Sequence, residues 1–332
     1  MSATGGEIRP IEPGGLLLHV GTRKSGTTAV QSAFAEARAE LRDFKVAYPG
    51  NQLNQAYQLK RIRSGKSVSR HFLEDTRRPD FRSFLSAEVL DAVVGEKIDR
   101  LVKELGQSRL EILITARPLA SLLPSQWQQN IKTGRHNRTL LDWLETLLSL
   151  PPKPGFRRPD LIAKEWCRVV DSERIHVVLH GAGPNLMEVM AAFMDLPPNV
   201  LKTGLTNRGL TVQEAELVRR VRASGLAFQD KAIKVPPAVN ELVEQRQPAS
   251  WEHRPRIPVT FFDTIVEMQR CVVDGLAGLP VNVVGDLASW GRVDRADFAS
   301  DEMQLEDLKF GAHSVPADAL EMMLRSLAED PE

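Results

Sequence analysis

Leu16-Leu17-Leu18-His19-Val20-Gly21-Thr22-Arg23-Lys24-Ser25-Gly26-Thr27-Thr28-Ala29-Val30-Gln31 is the stretch whose reading decides the fold. Its first part, opened by Gly14 and Gly15, is a short apolar run and reads as a buried strand. Its last part, continuing to Ala37, is rich in alanine with apolar residues spaced for one face, and reads as a helix. Between them, Gly21 and Gly26 bound a turn that carries Arg23, Lys24, Ser25, Thr27 and Thr28. Strand, glycine-bounded loop and helix in this order place backbone N–H groups around an anion. Two cations and three hydroxyls in one turn argue against a mere connection.

Working outward, short apolar runs alternate with helical patterns. Strands are expected at Phe44–Tyr48, Phe81–Ser86, Leu110–Ala116, Arg174–Leu179 and Val281–Val284. Helices are expected around 52–63, 95–105, 119–132, 139–148, 160–170, 185–194, 258–276 and 316–327. Thr211-Val212-Gln213-Glu214 has the spacing of a capping box, so a helix is expected from there to about Ala223. The prolines and polar residues of 224–256 read as loop. Strands alternating with helices imply an α/β fold, a three-layer α/β/α sandwich around a central, mostly parallel sheet of the P-loop type. One domain over 14–300 is expected, with its least readable part at about 205–260 and an acidic tail over 301–332 that ends in a helix.

Composition excludes several classes. The 332 residues balance 43 Lys and Arg against 43 Asp and Glu, so bulk attraction to nucleic acid or to a membrane surface has no support and anion binding must be local. Two cysteines, Cys167 and Cys271, give neither a disulfide framework nor a zinc-ligand cluster. Residues 1–15 lack the apolar run of a signal peptide, and no stretch approaches the ~20 apolar residues of a membrane span, so a cytoplasmic location is expected.

Gly21 and Gly26 share the spacing of the Walker glycines, but Thr27 occupies the position where a nucleoside triphosphatase needs lysine. The lysine stands earlier, at Lys24. The strand Leu110–Ala116 runs into Arg117-Pro118 instead of a metal-holding acid. Phosphoryl transfer without that acid loses its charge-neutralising ion. Sulfuryl transfer asks less, because the transferred group carries less charge and protein cations can serve.

His19-Val20-Gly21-Thr22-Arg23-Lys24-Ser25-Gly26-Thr27-Thr28-Ala29-Val30-Gln31 resembles the 5′-phosphosulfate loop of sulfotransferases that use 3′-phosphoadenosine-5′-phosphosulfate (PAPS), closest to the bacterial and carbohydrate-type branch. The resemblance implies that Lys24 contacts the phosphosulfate and its bridging oxygen, beside Arg23, while Ser25, Gly26, Thr27 and Thr28 hold the phosphate. Strand 110–116 followed by Arg117-Pro118, with Ser125 eight residues beyond Arg117, is similar to the family's 3′-phosphate signature. Asn207-Arg208-Gly209 resembles a late family segment and makes Arg208 a second ligand for that phosphate. Ser86-Ala87-Glu88 matches a third element, which makes Glu88 the general base. No metal is implied.

Two departures from the family pattern matter. Ala29 stands where the cytosolic branch carries an aromatic residue, and Gln55 stands where many relatives have a histidine after Asn54. Gln55 can orient an acceptor but cannot take a proton. His19 reads as a buried histidine bonded to backbone. The basic run from Arg61 to Arg78 reads as solvated surface or as a rim for an anionic acceptor. The implied activity is transfer of a sulfuryl group to a hydroxyl or amine of a glycan or small molecule, with a homodimer compatible. A P-loop small-molecule kinase and a catalytically inactive nucleotide-binding relative stay open.

Overall fold

A computed structural model describes residues 6, 8–202, 208–224, 235–300 and 315–328. They pack as two compact units built from separated segments: Met1–Leu119, Pro152–Leu205 and Val266–Arg292 in the first, Ala120–Pro151, Thr206–Ile265 and Val293–Glu332 in the second.

The first unit is an α/β fold around a six-stranded sheet in the order β2-β3-β1-β4-β5-β6. The strands are β1 (Leu16–His19), β2 (Val46–Ala47), β3 (Arg82–Ser86), β4 (Leu110–Ala116), β5 (Ile175–Leu179) and β6 (Asn282–Val284). Every pairing is parallel, so the sheet is wholly and not mostly so. His19 stands beside Ser86 on one neighbour and Leu113 on the other. Parallel strands need both faces covered, which is why these segments are almost continuously apolar.

Alternation along the strands divides the core into two layers. Leu16, Leu18, Ile112 and Ile114 face one cluster, packed under α2 (Ala56–Arg63), α4 (Glu96–Leu105), α7 (Pro159–Trp166), α11 (Phe262–Ala277) and the short α12 (Leu287–Trp290) through Leu59, Leu101, Trp166, Val272 and Trp290. Leu17, Phe84, Leu113 and Val178 face the other, covered by α1 (Thr27–Glu36) and α8 (Leu186–Met194) through Phe34, Met190 and Phe193. The expected three-layer sandwich follows. Crossovers of this kind gather the carboxyl ends of the strands along one edge, where ligands of such folds bind.

Several expected elements differ. The strand expected at Phe44–Tyr48 is reduced to two residues, because Lys45 has φ 56° and leaves the extended region. The helix expected from about 160 to 170 ends at Trp166. The basic stretch divides into α2 and α3 (Arg70–Thr76), the latter capped by Ser69, which accepts from the Phe72 N–H.

In the second unit the remaining helices are α5 (Leu119–Thr133), which begins at the last residue of the first, α6 (Leu140–Leu148), α9 (Val212–Ala223), α10 (Val235–Gln245) and α13 (Ala317–Ala328). Thr211 and Glu214 form the capping box that starts α9. α10 corrects the expectation of loop over 224–256. Pro236 and Pro237 lie in its first turn, where a proline's missing N–H costs nothing. Of the expected acidic tail, the helix is present as α13, and 301–314 lie outside the described residues. No described helix is long and apolar enough to cross a membrane.

Candidate active site

The loop between β1 and α1 is shaped by three residues with positive φ: Gly21 at 40°, Lys24 at 66° and Gly26 at 91°. At Gly21 a side chain is excluded by contact as well as by φ, since a Cβ would lie 2.9 Å from His19 Nε2. Gly26 is the N-cap of α1, and no side chain caps that terminus. The Ala29 N–H turns back to the Gly26 carbonyl at 3.1 Å, and the N–H groups of Thr27 and Thr28 ahead of it stand at the helix end that favours an anion.

The loop's hydroxyls divide into two sets. Ser25 and Thr27 are buried and turned inward. Ser25 Oγ donates to the Thr22 carbonyl at 2.5 Å and lies 2.5 Å from Thr115 Oγ1, while Thr27 Oγ1 donates to the same carbonyl at 3.4 Å. Thr22 Oγ1 donates to the Thr115 carbonyl at 2.7 Å, fastening the loop to β4. Thr28 is exposed. Of the three hydroxyls that the family resemblance assigns to phosphate, only that of Thr28 faces outward.

Charged groups gather above the loop. Lys24 is largely buried, and desolvation pushes its ammonium below the usual lysine range; the Glu88 carboxylate opposes the shift and the Arg117 guanidinium adds to it. Arg117 is itself pushed down by burial, and its Nη1 donates to the Lys24 carbonyl at 3.1 Å. Lys24, Glu88 and Arg117 thus form one electrostatic group. Arg23 lies apart from it, 3.5 Å from the buried carboxylate of Asp91.

Glu88 opens a single turn, Glu88–Leu90, just beyond β3. The Ala87 N–H donates to the His19 carbonyl at 3.1 Å, so the strand pairing continues to the residue before Glu88. Gln55 fixes the same strand end from the other side. Its Oε1 accepts from the Ser86 N–H at 2.8 Å, its Nε2 donates to the Pro49 carbonyl at 3.1 Å, and its own N–H donates to the Ser86 carbonyl at 3.2 Å. Gln55 is buried with its amide committed at both ends, so it braces β3 and does not present itself to an acceptor.

His19 is buried as expected, but its partners are side chains and not backbone. Nδ1 is 3.0 Å from Ser86 Oγ and Nε2 is 3.2 Å from Thr115 Oγ1. Burial pushes its pKa down to about 4, so the ring is neutral at ordinary pH.

His180 is a site residue that the sequence reading missed. It follows β5 directly, donates its N–H to the Ala116 carbonyl at 2.8 Å, and its imidazole is held below the ordinary value by burial and by Arg117. The available signal was its place: the residue after β5, on the strand adjoining the one that delivers Arg117.

Ser125 and Arg208 belong to the second unit, whereas Arg117 belongs to the first. Ser125 is half-buried on α5. Arg208 grips Glu214 with two bonds, at 2.7 and 2.8 Å, and donates to the carbonyls of Leu242 and Arg246 at 3.0 Å each. Asn207, quoted with it, lies outside the described residues. The basic run has local partners: Arg61 on the Ser67 carbonyl, Arg70 on Glu74, Arg77 on Glu104 and Arg78 over the Phe81 ring. Arg63 donates to the Val89 carbonyl at 3.0 Å, which places it beside Glu88.

No protein-family model matches the chain, and no curated protein matches it. Among solved structures it is similar to the mouse sulfotransferase SULT7A1 complexed with PAP, at 11% identity and a TM-score of 0.34, covering 96% of this chain and 91% of that one.

Proposed function

We propose that the chain is a sulfotransferase that takes PAPS as donor and passes its sulfuryl group to a hydroxyl or amine of a glycan or small-molecule acceptor. The observation that carries this reading is the group Lys24–Glu88–Arg117 at the carboxyl edge of the sheet, above an uncapped helix. It holds two desolvated cations against one nearby carboxylate. Such a place favours an anion, and the uncapped N–H groups offer it donors. Thr27 in the Walker lysine position and Arg117 in place of an acid speak for sulfuryl over phosphoryl transfer.

In this reading the acceptor attacks sulfur in line with the leaving phosphate oxygen. Lys24 stabilises the charge that grows on that oxygen. Glu88 draws off the acceptor's proton. The burial that lowers the Lys24 pKa also strengthens its pull on a developing charge, since low dielectric amplifies both effects. Arg23, Ser25, Gly26, Thr27 and Thr28 are assigned to the loop that holds the 5′-phosphate, Ser25 and Thr27 by shaping it from within. For the 3′-phosphate the reading relies on Arg117 of the first unit; the family resemblance adds Ser125 and Arg208, which stand in the second. The acceptor pocket and lid are assigned to about 205–260, of which 205–207 and 225–234 lie outside the described residues.

The test is calorimetric titration with 3′,5′-adenosine bisphosphate in the absence of metal, beside a Lys24→Ala variant and an ATP–Mg²⁺ control. Micromolar binding that is lost in the variant and unmatched by ATP supports the donor site. Binding of ATP–Mg²⁺ alone would overturn it in favour of a small-molecule kinase.

A further inference from the structure

Beneath the loop, buried polar side chains of the first unit touch in sequence: Gln31, Ser86, His19, Thr115 and Ser25. None is an exposed residue, and all but Gln31 lie in or next to strands or the loop. Their directions follow from counting hydrogens. Ser25 Oγ has one hydrogen, and the Thr22 carbonyl can only accept it. Thr115 Oγ1 must then be the donor to Ser25 Oγ. Thr115 has no second hydrogen, so it accepts from His19 Nε2. In a neutral ring Nδ1 is then bare and accepts from Ser86 Oγ, whose other contact, Gln31 Nε2 at 3.0 Å, is a donor to it. Each hydroxyl gives one hydrogen and receives one, with no conflict along the chain.

We propose that this row is one directional hydrogen-bond chain, running from Gln31 to the Thr22 carbonyl, in which His19 is a positioning residue that ties the donor-binding loop to the strand end that carries Glu88. Ser86 is the junction. Its backbone is held by Gln55, its hydroxyl enters the chain, and Glu88 follows two residues later. At the other end Ser25 sets the loop's inner wall, so the loop and the Glu88 strand end share one rigid buried support. His19 touches neither donor nor acceptor. Only neutral imidazole protonated on Nε2 satisfies every member, and the low His19 pKa keeps that form.

The functional half of this inference rests on the sulfotransferase reading; the chain itself does not. Long-range proton–nitrogen spectra of the full chain with ¹⁵N-histidine should show one imidazole that stays neutral from pH 8 to 5.5 with its proton on Nε2, and that signal should vanish in His19→Gln. A proton on Nδ1, or titration near 6.5, overturns the chain whether or not any nucleotide binds. His19→Gln and His19→Asn then divide its two arms, because a glutamine amide reaches the Nε2 position and an asparagine amide the Nδ1 position. Removing the Thr115 arm costs about one hydrogen bond, so His19→Asn should bind 3′,5′-adenosine bisphosphate about 10-fold more weakly than wild type and at least about 5-fold more weakly than His19→Gln. Equal losses in the two variants would overturn the positioning role. Absence of binding in the wild type would sink the donor-site reading and leave the spectrum to decide the chain.

Discussion

Two groups of charge, one in each unit, are built on opposite terms. In the second unit, Arg208 and Arg246 face Glu214, Glu252 and Asp318. Arg246 lies 2.8 Å from Glu214, 2.5 Å from Glu252 and 2.8 Å from Asp318. Each partner reinforces the other's charge: Arg246 is pushed well above the usual arginine range by its carboxylates, and Glu214 is held below the usual carboxylate range by Arg208, the Thr211 N–H and Arg246. At the loop of the first unit the shifts have the other sign for the cations. Lys24 and Arg117 are both pushed down by burial, with Glu88 as the opposing carboxylate that acts on Lys24. A cluster that stabilises its own charges holds a structure together, as Arg246 does by joining α9, α10 and α13. A cluster whose cations are destabilised gains from an incoming anion. The first pattern suits a structural clamp, and the second suits the donor site proposed above.

Paired substitutions separate the two roles. Glu88→Gln removes the proton acceptor and leaves a side chain of the same shape, so turnover should fall by about 10²–10⁴-fold while bisphosphate affinity and the unfolding midpoint stay close to wild type. Loss of the midpoint with retained turnover would place Glu88 among structural residues. Arg246→Ala should do the reverse. It leaves Glu252 without its cation and Glu214 with Arg208 alone, and denaturant unfolding should show a loss of about 3 kcal/mol. A variant as stable as wild type would mean that the cluster does not clamp the three helices.

The pH axis divides the regions as well. Native His19 has a pKa of about 4 against 6.5 for the free side chain, so between those values the unfolded chain binds a proton that the native one refuses. His19 should therefore contribute a loss of about 3 kcal/mol as pH drops from 6.5 toward 4, and His19→Gln should reduce the slope in that window by its share. Glu214 and Asp318 have depressed values, so what they contribute is present above their ordinary 4.5 and 3.8 and is lost only as pH falls further. Thermal unfolding from pH 7 to 3 should show two successive losses, the first smaller in His19→Gln and not abolished, because burial also holds His180 and His136 below the ordinary histidine value. A single loss below 4 would sink the neutral buried imidazole.

Much of this was legible in the sequence. The apolar runs at 16–18 and 110–116, the glycines at 21 and 26 and the Thr211 capping box announced β1, β4, the loop and α9 through local chemistry alone. What stayed hidden depended on partners distant in the chain. Gln55 reads as a polar residue beside the acceptor until the Ser86 backbone is seen to fill its amide. Arg208 reads as a spare cation until Glu214 is found beside it. Ser25 and Thr28 are alike as hydroxyls in a motif, and only the approach of Thr115 turns one inward. α10 was hidden for another reason: Val235-Pro236-Pro237 reads as a breaker, although prolines in a first turn start helices as readily as they prevent them.

Arg117→Lys probes the loop's side of the comparison with a smaller effect. The Arg117 guanidinium donates one N–H to the Lys24 carbonyl, and its planar fork holds its donors in fixed directions. An ammonium on a shorter stem is a point charge that cannot serve a carbonyl and a phosphate in fixed directions at once. Charge is conserved, so the electrostatic attraction of the site persists, and what is lost is one charge-assisted hydrogen bond together with the hold on the Lys24 backbone. Bisphosphate affinity should fall by about 10-fold, close to 1.4 kcal/mol. Because the contact helps hold Lys24 at its φ of 66°, the loss should appear chiefly as faster dissociation, read by stopped-flow displacement. Unchanged affinity would mean that Arg117 serves the loop alone, and the 3′-phosphate would then have to be sought at other cations.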